Sequence, residues 1–458
     1  MQQRGPVPGF LAIAFALIAC GDDASDPGPV DPAAENGSRL VAERWVADGT
    51  ASFARWYDRE LDMFCKFQMA ADGRVRCLPT EARAGGYADS SCTQPAVFAS
   101  TACSDVRFAT QGVGDVISVG APLTAGFIKG GELPCTRDLN TNRAYFTSGD
   151  PVPLDTFVAA DAVAAGTVLA TTEYRGDDGS RQQIPLTGDR GQGVSTAVGM
   201  ECVIRLTGSR TADCTFETSA GTAQMHYSDD ACTMPVIEPQ GFPPQITINH
   251  SGRLCAPTPL YQVGESRSVP NVFYRDASGA CTSLTIIGTM VFDISPIENV
   301  NVSLSLEIDE ASTSRLRNTA WVTAAGERWP GPLFDTMLDT PCVPRADNVG
   351  HARCVPALNR DFDEQIGIST VTTCEPDRLV SASCWGQSIR TRQVSGRSAC
   401  GYELVDFEQA SGAVLASPLY TGVFQTECGP VDLVGAELRD GPYGVVDGAA
   451  FVEMRLEP

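Results

Sequence analysis

Polar and apolar residues alternate along most of the chain. The period is two in residues 39–46, 245–249 and 300–308, where β-branched and aromatic side chains occupy many of the apolar positions. This pattern is typical of half-buried β-strands. Gly, Pro, Asp and Asn interrupt the runs at short intervals, as the turns between strands require. The pattern therefore predicts an all-β protein.

Strand-like runs are most regular in the first third of the chain. The Ala-rich stretch 157–166 is the best candidate for a helix, and it is short. Eight strands are predicted before it, near residues 39–47, 52–58, 62–69, 74–79, 94–99, 105–110, 115–119 and 143–147.

One cysteine-containing unit occurs three times. Its first two cysteines are 12 positions apart in every copy, and the copies begin 137 and 140 residues apart. The cysteines are Cys65 and Cys77, Cys202 and Cys214, and Cys342 and Cys354. A fixed spacing at a nearly constant period indicates an internal repeat. We expect three β repeats, at 38–165, 166–312 and 313–458.

Residues around the cysteines also recur between copies one and three. Ser38-Arg39-Leu40 matches Ser314-Arg315-Leu316, and Trp56-Tyr57-Asp58 matches Leu333-Phe334-Asp335. Trp45 and Trp321 occupy matching positions, which favours core roles for both, whereas Trp385 has no counterpart and is a candidate exposed contact. The middle copy diverges: it has an insertion that includes 188–199, and no Asp at the matching position.

Two architectures fit three repeats of about eight strands. Two four-stranded sheets per repeat make a six-bladed β-propeller, in which radial repetition leaves short protected edges. The alternative is three tandem β-sandwich domains, since the length of each repeat also suits a sandwich. The propeller is favoured because no obvious linker separates the repeats.

The N-terminus reads as an export signal. Residues 1–19 carry Arg4 and an apolar run at 10–19 that is far below the roughly 20 residues of a membrane-spanning helix. The run ends in Leu17-Ile18-Ala19-Cys20, which resembles the bacterial lipoprotein signal, and that resemblance implies acylation of Cys20. Acyl chains anchor a protein to a membrane. Gly21 at the next position implies, by the same resemblance, the outer membrane. Residues 20–37 are polar and predict a disordered acidic tether.

The remaining cysteines and the charge are consistent with an exported protein. The formal net charge is −23, which disfavours nucleic acid as a partner. Disulfides are expected outside the reducing cytosol. Adjacent strands joined by a tight turn predict the pairs Cys65–Cys77, Cys202–Cys214 and Cys342–Cys354. Chain order then suggests Cys92–Cys103, Cys232–Cys255, Cys374–Cys384 and Cys400–Cys428, which leaves Cys135 and Cys281 free or bonded to each other.

Catalytic and metal signatures are absent from the sequence. There is no Gly-x-Ser-x-Gly, His-Glu-x-x-His or phosphate-binding glycine loop, so no catalytic residue and no cofactor is predicted. With no Cys-x-x-Cys pair and only His226, His250 and His351, no metal site is predicted either. His226 lies near Asp229 and Asp230, which leaves a Ser-His-Asp arrangement open, although an ordinary side chain is favoured. Residues 177–180 (Asp-Asp-Gly-Ser) could form a calcium loop, but a hairpin turn is favoured.

The chain resembles a group of uncharacterised cysteine-rich repeat lipoproteins of the myxobacterial type. The resemblance rests on the residues before Cys20, on Cys65-x-Phe67 with Arg76-Cys77-Leu78-Pro79, and on Tyr87-x-Asp89 with Cys92 and Pro95. It implies an envelope location and a repeat architecture, and no activity.

Two functions remain. The first is a membrane-anchored envelope lipoprotein that serves as a non-enzymatic surface binding or scaffold module for an unknown protein or glycan. The second is an extracytoplasmic hydrolase or lyase acting on glycans or peptides, with its site on one face of the β body.

Overall fold

The computed structural model consists of β-strands connected by turns. In the described residues there is no α-helix, only short 3-10 turns such as Leu154–Thr156 and Gly448–Ala450, and no helix long and apolar enough to cross a membrane. The described residues are 33–103, 105–129, 134–184, 186, 192–195, 200–216, 224–238, 246–248, 260–275, 280–284, 289–297, 302–347, 351–356, 365–368, 378–384, 389–399, 402–410, 420–423, 427–430, 436–440, 443–446 and 448–457.

The strands are numbered in chain order. Repeat 1 contains β1 (Ala34–Glu35), β2 (Leu40–Ala47), β3 (Thr50–Asp58), β4 (Met63–Met69), β5 (Val75–Pro79), β6 (Ala82–Tyr87), β7 (Pro95–Ser100), β8 (Phe108–Gln111), β9 (Asp115–Leu123), β10 (Phe127–Ile128), β11 (Thr136–Arg137), β12 (Arg143–Pro151) and β13 (Ala159–Ala165). Repeat 2 contains β14 (Leu169–Gly176), β15 (Arg181–Gln183), β16 (Gln192–Ser195), β17 (Met200–Gly208), β18 (Thr211–Phe216), β19 (Gln224–Tyr227), β20 (Pro235–Glu238), β21 (Ile246–Ile248), β22 (Leu260–Val269), β23 (Val272–Arg275), β24 (Cys281–Leu284), β25 (Thr289–Pro296) and β26 (Val302–Ile308).

Repeat 3 contains β27 (Leu316–Arg317), β28 (Thr319–Thr323), β29 (Arg328–Pro330), β30 (Leu333–Asp335), β31 (Thr340–Asp347), β32 (Ala352–Pro356), β33 (Gln365–Ile368), β34 (Arg378–Cys384), β35 (Ile389–Ala399), β36 (Tyr402–Ala410), β37 (Tyr420–Val423), β38 (Glu427–Pro430), β39 (Ala436–Asp440), β40 (Tyr443–Val445) and β41 (Glu453–Glu457).

Strand pairing joins the three repeats into one ring. Repeat 1 contributes β2-β3-β4-β5-β13, and β13 pairs with β14. Repeat 2 contributes β14-β16-β17-β18-β26, and β26 pairs with β28. In repeat 3, β28 pairs with β29, and β27, which directly precedes β28 in the chain, begins the order β27-β30-β31-β32-β41. Finally β41 pairs with β2, so the last strand of the chain closes on the first repeat.

The pairing register is the same in each repeat. The residue two positions before the second cysteine pairs with the repeat's last ring strand. These pairs are Val75 with Ala160, Ala212 with Leu304 and Ala352 with Met454. Because a slip of one residue would reverse every side chain between core and solvent, the shared register fixes equivalent core positions in all three repeats.

Alternation along the ring strands builds the cores. In β26, Val302, Leu304 and Leu306 are buried whereas Ser303 and Ser305 are exposed. The aromatic residue five positions after the first buried leucine of a repeat packs against the core of the preceding repeat. These residues are Tyr174 against the core of repeat 1, Trp321 in that of repeat 2 and Trp45 against that of repeat 3. The predicted core role is thus confirmed for Trp321, whereas Trp45 is half-buried and packs against the core of repeat 3.

Repeats 1 and 2 each contain an additional seven-stranded sheet, which we call the insertion sheet. In both repeats it is formed by the residues between the fourth and the last ring strand. The first insertion sheet has the order β11-β10-β6-β7-β12-β9-β8, and the second has the order β24-β23-β19-β20-β25-β22-β21. The two orders are equivalent strand for strand. In repeat 3 the corresponding part of the chain includes β33 to β40.

The all-β prediction is confirmed, but its finer parts need correction. The structure does not show a propeller: among the described ring strands, hydrogen bonds run continuously from one repeat to the next. The Ala-rich stretch predicted as a possible helix forms β13, because pairing with β5 and β14 satisfies its backbone groups.

The predicted tether also ends earlier than expected. Ala33 and Ala34 are buried, β1 pairs with β15, and the Asn36 side chain accepts a hydrogen bond from the backbone N–H of Ala42. The small side chain of Ala34 packs in the core of repeat 1, so residues 33–37 belong to the folded body. Residues 20–32 lie outside the described part.

Candidate functional site

The recurring arginine and aspartate of repeats 1 and 3 form equivalent ion pairs. Arg39 donates two hydrogen bonds of 2.8 Å to Asp58, and Arg315 donates from Nε (2.9 Å) and a terminal nitrogen (2.7 Å) to Asp335. Both aspartates are fully buried. Each also accepts backbone N–H groups of the following turn, from Glu60 and Leu61 in repeat 1 and from Met337 and Leu338 in repeat 3. These carboxylates are therefore committed to holding the β3–β4 turn and its counterpart.

Repeat 2 has uncharged residues at the two positions of this ion pair. Leu169 is the buried equivalent of Leu40, which places Val168 at the position of Arg39. Gly193 pairs with Cys202 as Trp56 pairs with Cys65, which places Ser195 at the position of Asp58. The fold thus tolerates an uncharged pair where the other repeats carry an ion pair.

A turn motif in each insertion sheet accounts for the Tyr-x-Asp-x-x-Cys-Thr-x-Pro pattern. The Asp89 carboxylate accepts hydrogen bonds from the backbone of Thr93 and Gln94 and from the Thr93 hydroxyl. Asp229 makes the same contacts with Thr233 and Met234. The central cysteines, Cys92 and Cys232, both have positive φ (52° and 51°), a conformation that these side-chain hydrogen bonds stabilise.

These turn cysteines correct the disulfide prediction. The hairpin pairs Cys65–Cys77, Cys202–Cys214 and Cys342–Cys354 are present as predicted. However, Cys92 is bonded to Cys135 and Cys232 to Cys281, so the predicted pairs Cys92–Cys103 and Cys232–Cys255 are wrong. Cys135 and Cys281, predicted to be free or bonded to each other, each close their own insertion sheet. The predicted pairs Cys374–Cys384 and Cys400–Cys428 involve side chains outside the described part. Cys255 also lies outside it.

Geometry explains the correction. Cys92 lies in the turn before β7 and Cys103 beyond its far end, so a six-residue strand of roughly 20 Å separates them. A disulfide needs Cα atoms within about 7 Å. Cys135 directly precedes β11, which β10 connects to the Tyr87 end of β6, and its Cα lies 5.8 Å from that of Cys92. Cys103 is disulfide-bonded to another cysteine.

His226 is a core residue of the second insertion sheet. It is buried in β19, and burial lowers the pKa of its imidazole. The neighbouring Asp229 carboxylate accepts hydrogen bonds from the turn backbone, which commits it to the turn. His250, Trp385 and most of 188–199 lie outside the described part; within that last segment β16 forms a ring strand.

The strand equivalence explains the position of His226. His226 corresponds to Gly86 of the first insertion sheet, because Tyr227 pairs with Pro235 as Tyr87 pairs with Pro95. A Cβ on Gly86 would lie 2.6 Å from the ring of Tyr145. The register places Val291 at the position of Tyr145. In the first insertion sheet the small residue is Gly86 and the large one is Tyr145. In the second the order is reversed, with the large His226 and the smaller Val291.

The sequence Asp177-Asp178-Gly179-Ser180 forms the favoured hairpin turn. Gly176 and Ser180 share a backbone hydrogen bond, and Gly179 has φ +91°. The Asp178 carboxylate accepts backbone N–H groups from Arg39 and Leu40, so the turn holds the start of β2. Across the residues that the structure describes, no group of three or more His, Cys, Asp or Glu side chains is placed to hold a metal ion.

One half-buried cluster of side chains belongs to repeat 1 and does not recur in repeat 3. The Arg55 guanidinium lies 3.2 Å from the ring centroid of Phe64 and pairs with Glu43, and Tyr57 packs on Phe64 with ring centroids 5.5 Å apart. At the positions of Glu43 and Phe64, repeat 3 has Thr319 and Pro341. Since the repeat fold does not require this cluster, it is a candidate for function.

Glu81 borders the same cluster. It lies between β5 and β6, next to Thr80, whose backbone N–H bonds to the carbonyl of Phe64. Burial raises the pKa of the Glu81 carboxyl, against the opposing influence of Arg55. Glu81 therefore retains its proton at a higher pH than an ordinary glutamate.

The first insertion sheet carries the second candidate, which we call the Arg–Phe face. Arg83 pairs with Phe98, and Phe98 with Tyr145, so the three residues lie side by side on β6, β7 and β12. The guanidinium carbons of Arg83 and Arg143 lie 4.8 and 4.7 Å from the ring centroid of Phe98. Such distances are those of cation–π contacts. The opposite face of this sheet packs into a core that includes Val97. On the Arg–Phe face itself Arg83 is exposed, Phe98 and Arg143 are half-buried, and Tyr145 is buried.

A hydrogen-bond network around Asp138 orients two residues of this face. Asp138 accepts hydrogen bonds from Tyr145 (2.6 Å) and Arg143 (3.1 Å). Burial, together with the bond to Asp138, raises the pKa of Tyr145 to about 12. Gly126 lies directly against the Tyr145 ring, where a Cβ would approach to 2.2 Å. Arg143 is thus held in one orientation.

Sequence reasoning did not find the residues of this face. Arg143 and Tyr145 alternate within one strand, which is a readable signal, but Arg83 and Phe98 become neighbours only through the β6–β7 pairing. Two candidate site residues from the sequence lie in the described part. His226 is a core residue, and Asp178 is a turn residue.

The fold defines a three-repeat, disulfide-linked β protein. A model of a family of unknown function (DUF7481) matches residues 13–434, and the chain belongs to that family. No curated protein matches the chain. No solved structure matches it either.

Proposed function

We propose that the protein is an exported, lipid-anchored component of the bacterial cell envelope that binds a ligand and has no catalytic role of its own. In this proposal Cys20 carries the lipid and the ring stands at the membrane surface, as the resemblance to myxobacterial cysteine-rich lipoproteins implies. Five disulfides among the described residues support export, because such bonds persist in oxidising compartments.

The observation that carries the binding role is how the recurring polar residues are used. Asp58, Asp335, Asp89 and Asp229 all bind backbone groups of their own turns. Residues that differ between repeats instead include the exposed Arg83 and the half-buried Arg55. A rigid scaffold with repeat-specific side chains on its surface suits recognition of a partner.

A protein or glycan of the envelope is the proposed partner. The net charge of −23 repels nucleic acid and anionic lipid, so association with the membrane depends on the acyl anchor. The outer membrane is the proposed location because Gly21, rather than Asp, follows Cys20.

Membrane fractionation tests the anchor. We expect the full chain to stay in the outer-membrane fraction, Cys20→Ala to become soluble, and Gly21→Asp to move to the inner membrane. The Gly21→Asp variant is the matched control, because it keeps the acylated cysteine and changes only the sorting position. Retention of Cys20→Ala in the membrane to the same extent as wild type would contradict the anchor.

A hydrolase or lyase acting on glycans or peptides is the second candidate function, and Glu81 is the observation that favours it. A carboxyl group with a raised pKa near a second carboxyl group, that of Glu43 paired with Arg55, has the properties of a general acid with a neighbouring base. Incubation of purified protein with labelled envelope glycans and peptides tests it. Turnover that Glu81→Gln abolishes would replace the binding proposal, whereas turnover that persists in Glu81→Gln would not involve this cluster.

A further inference from the structure

We propose that the Arg–Phe face binds the carboxylate of an acidic sugar within a sparsely charged glycan, with Arg83 as the principal contact. This inference rests on the proposed binding function and names the ligand class. Its residues are Arg83, Phe98 and Arg143, supported by Asp138 and Tyr145.

The first step is the availability of Arg83. Its side chain is exposed and stacks on Phe98. Among the described residues no carboxylate pairs with it, although the chain has 56 acidic residues. A guanidinium that is ordered by an aromatic ring but not neutralised keeps its donor fork free, and that fork matches a carboxylate with two parallel hydrogen bonds.

The second step is preorganisation. Arg143 lies on the same ring and is fixed by Asp138, which Tyr145 also holds. Two guanidinium groups on one phenylalanine place positive charge at one spot of a strongly acidic protein. Because both are ordered before the ligand arrives, little side-chain entropy is lost on binding.

The third step is the shape of the face. Gly85 is exposed beside Phe98, and a Cβ there would lie 2.8 Å from the Phe98 ring. The absence of a side chain at Gly85 therefore leaves the ring edge uncovered. A shallow strand surface with an open aromatic edge accommodates a flat, extended chain such as an oligosaccharide better than it would enclose a compact molecule.

The net charge of the protein further restricts the class of ligand. At −23 the protein repels membranes and polymers that carry dense negative charge. A glycan with isolated acidic residues avoids most of this repulsion, while its carboxylate still reaches the guanidinium at short range. The second insertion sheet has Glu238 at the position of Phe98, so that sheet lacks the site.

The test is titration of the soluble chain from residue 33 onward with a xylo-oligosaccharide that bears one glucuronate. We expect saturable binding, and loss of at least about tenfold in affinity in Arg83→Gln, because one charge-assisted contact is removed. Arg83→Lys keeps the charge but not the fork and should be intermediate. Arg74→Gln, which alters an exposed arginine on the β4–β5 turn, is the matched control and should bind as wild type.

Three outcomes would overturn the proposal. The first is equal binding of the same oligosaccharide after its carboxyl group is reduced to an alcohol. The second is absence of saturable binding to the acidic oligosaccharide. The third is Arg83-dependent binding to phosphatidylglycerol vesicles in its place. In the second case, unchanged anchoring through Cys20 would show that the ligand assignment had failed while the envelope location stood.

Discussion

Ser314 donates a hydrogen bond to the backbone carbonyl of Asp48, a residue 266 positions earlier in the chain. Ser38 makes the equivalent bond, 3.1 Å long, to the carbonyl of Asp178 in the first hairpin of repeat 2. In the third instance the Glu327 carboxylate, in the first hairpin of repeat 3, accepts backbone N–H groups from Thr167 and Val168. Each repeat is thus held by the first hairpin of the next, and repeat 3 is held by that of repeat 1.

This clasp has an energetic consequence. The hairpin that binds the start of a repeat also supplies an aromatic residue to that repeat's core, as Tyr174 does for repeat 1. The core of one repeat is therefore incomplete without the next. The repeats should gain and lose structure together, even though each carries its own disulfides.

The first prediction concerns the clasp of repeat 1. Asp178→Asn should lower the free energy of unfolding by about 1 to 2 kcal/mol, because one carboxylate oxygen that accepts the N–H groups of Arg39 and Leu40 is replaced by a donor. Asp177→Asn is the matched control. Its carboxylate is exposed and lies 3.4 Å from Arg74, so no measurable change is expected. Urea unfolding checks both, and equal midpoints for the two variants would contradict the clasp.

The same variant has a defined pH dependence. Burial of Asp178 by itself raises the pKa of the carboxyl, but hydrogen bonds from Ser180, Leu40 and Arg39 outweigh it and hold the pKa below the ordinary 3.8. A lowered pKa means that the stabilisation is present above pH 3.8 and lost as the pH falls through the folded-state value. The difference between wild type and Asp178→Asn should therefore shrink below that pH.

Local structure was predictable where local pattern decides it. The alternation in β26, with buried Val302 and Leu304 around exposed Ser303, and the turn at Asp72-Gly73 between β4 and β5 specify strand and hairpin within a few residues. The 12-residue cysteine spacing specifies the hairpin disulfides for the same reason.

What pattern could not predict depends on partners distant in sequence. The pairing of β41 with β2 joins residues at opposite ends of the chain, and no local signal marks Leu456 as the partner of Trp45. The Ala-rich β13 has helical composition and becomes a strand only because β5 and β14 flank it. The Arg–Phe face likewise depends on which strands pair, and so does the bond between Cys92 and Cys135.

The second prediction concerns that bond. Peptide mapping without reduction should recover Cys92 joined to Cys135. The double variant Cys92→Ala, Cys135→Ala should lose about 4 kcal/mol from the stability of the first insertion sheet, because the bond closes a loop of 43 residues. The same change at Cys232 and Cys281 is the control, and peptide mapping of that variant should still recover Cys92 joined to Cys135. A peptide joining Cys92 to Cys103 would contradict the assignment.

The third prediction concerns His226. Burial lowers the pKa of its imidazole below the ordinary 6.5. A base with a lowered pKa takes up its proton more readily in the unfolded chain, so stability should fall as the pH drops below about 6.5. His226→Leu should remove this loss, and His351→Gln, at an exposed position, should leave it in place. Thermal unfolding between pH 7 and pH 5 measures this loss of stability. If the melting temperature of His226→Leu falls with pH as steeply as that of wild type, the core role is ruled out.

The fourth prediction compares a broken ion pair with an absent one. Asp58→Asn should cost about 2 to 3 kcal/mol, since it leaves the Arg39 guanidinium without its buried carboxylate. The double variant Arg39→Val, Asp58→Ser introduces the pair that repeat 2 uses, Val168 and Ser195. It should therefore be less destabilised than Asp58→Asn alone. If the double variant is less stable than Asp58→Asn, repeat 2 must compensate for the missing ion pair through other residues.

The last prediction tests the closed ring through fragments. Residues 33–165 contain every strand of repeat 1, but they lack β14 and β15, whose Tyr174 packs on the core and whose Gln182 accepts the indole N–H of Trp56. Residues 33–184 add that hairpin and little else. With disulfides formed, we expect 33–184 to unfold in one sharp thermal transition and 33–165 to unfold broadly.

The two fragments share the same edge at β2, where β41 pairs in the whole chain. Any cost of exposing that edge is therefore common to both, and the difference between them reports only the hairpin supplied by repeat 2. If 33–165 melts as sharply as 33–184, each repeat is an independent domain, and the clasp contributes packing between domains rather than completing their cores.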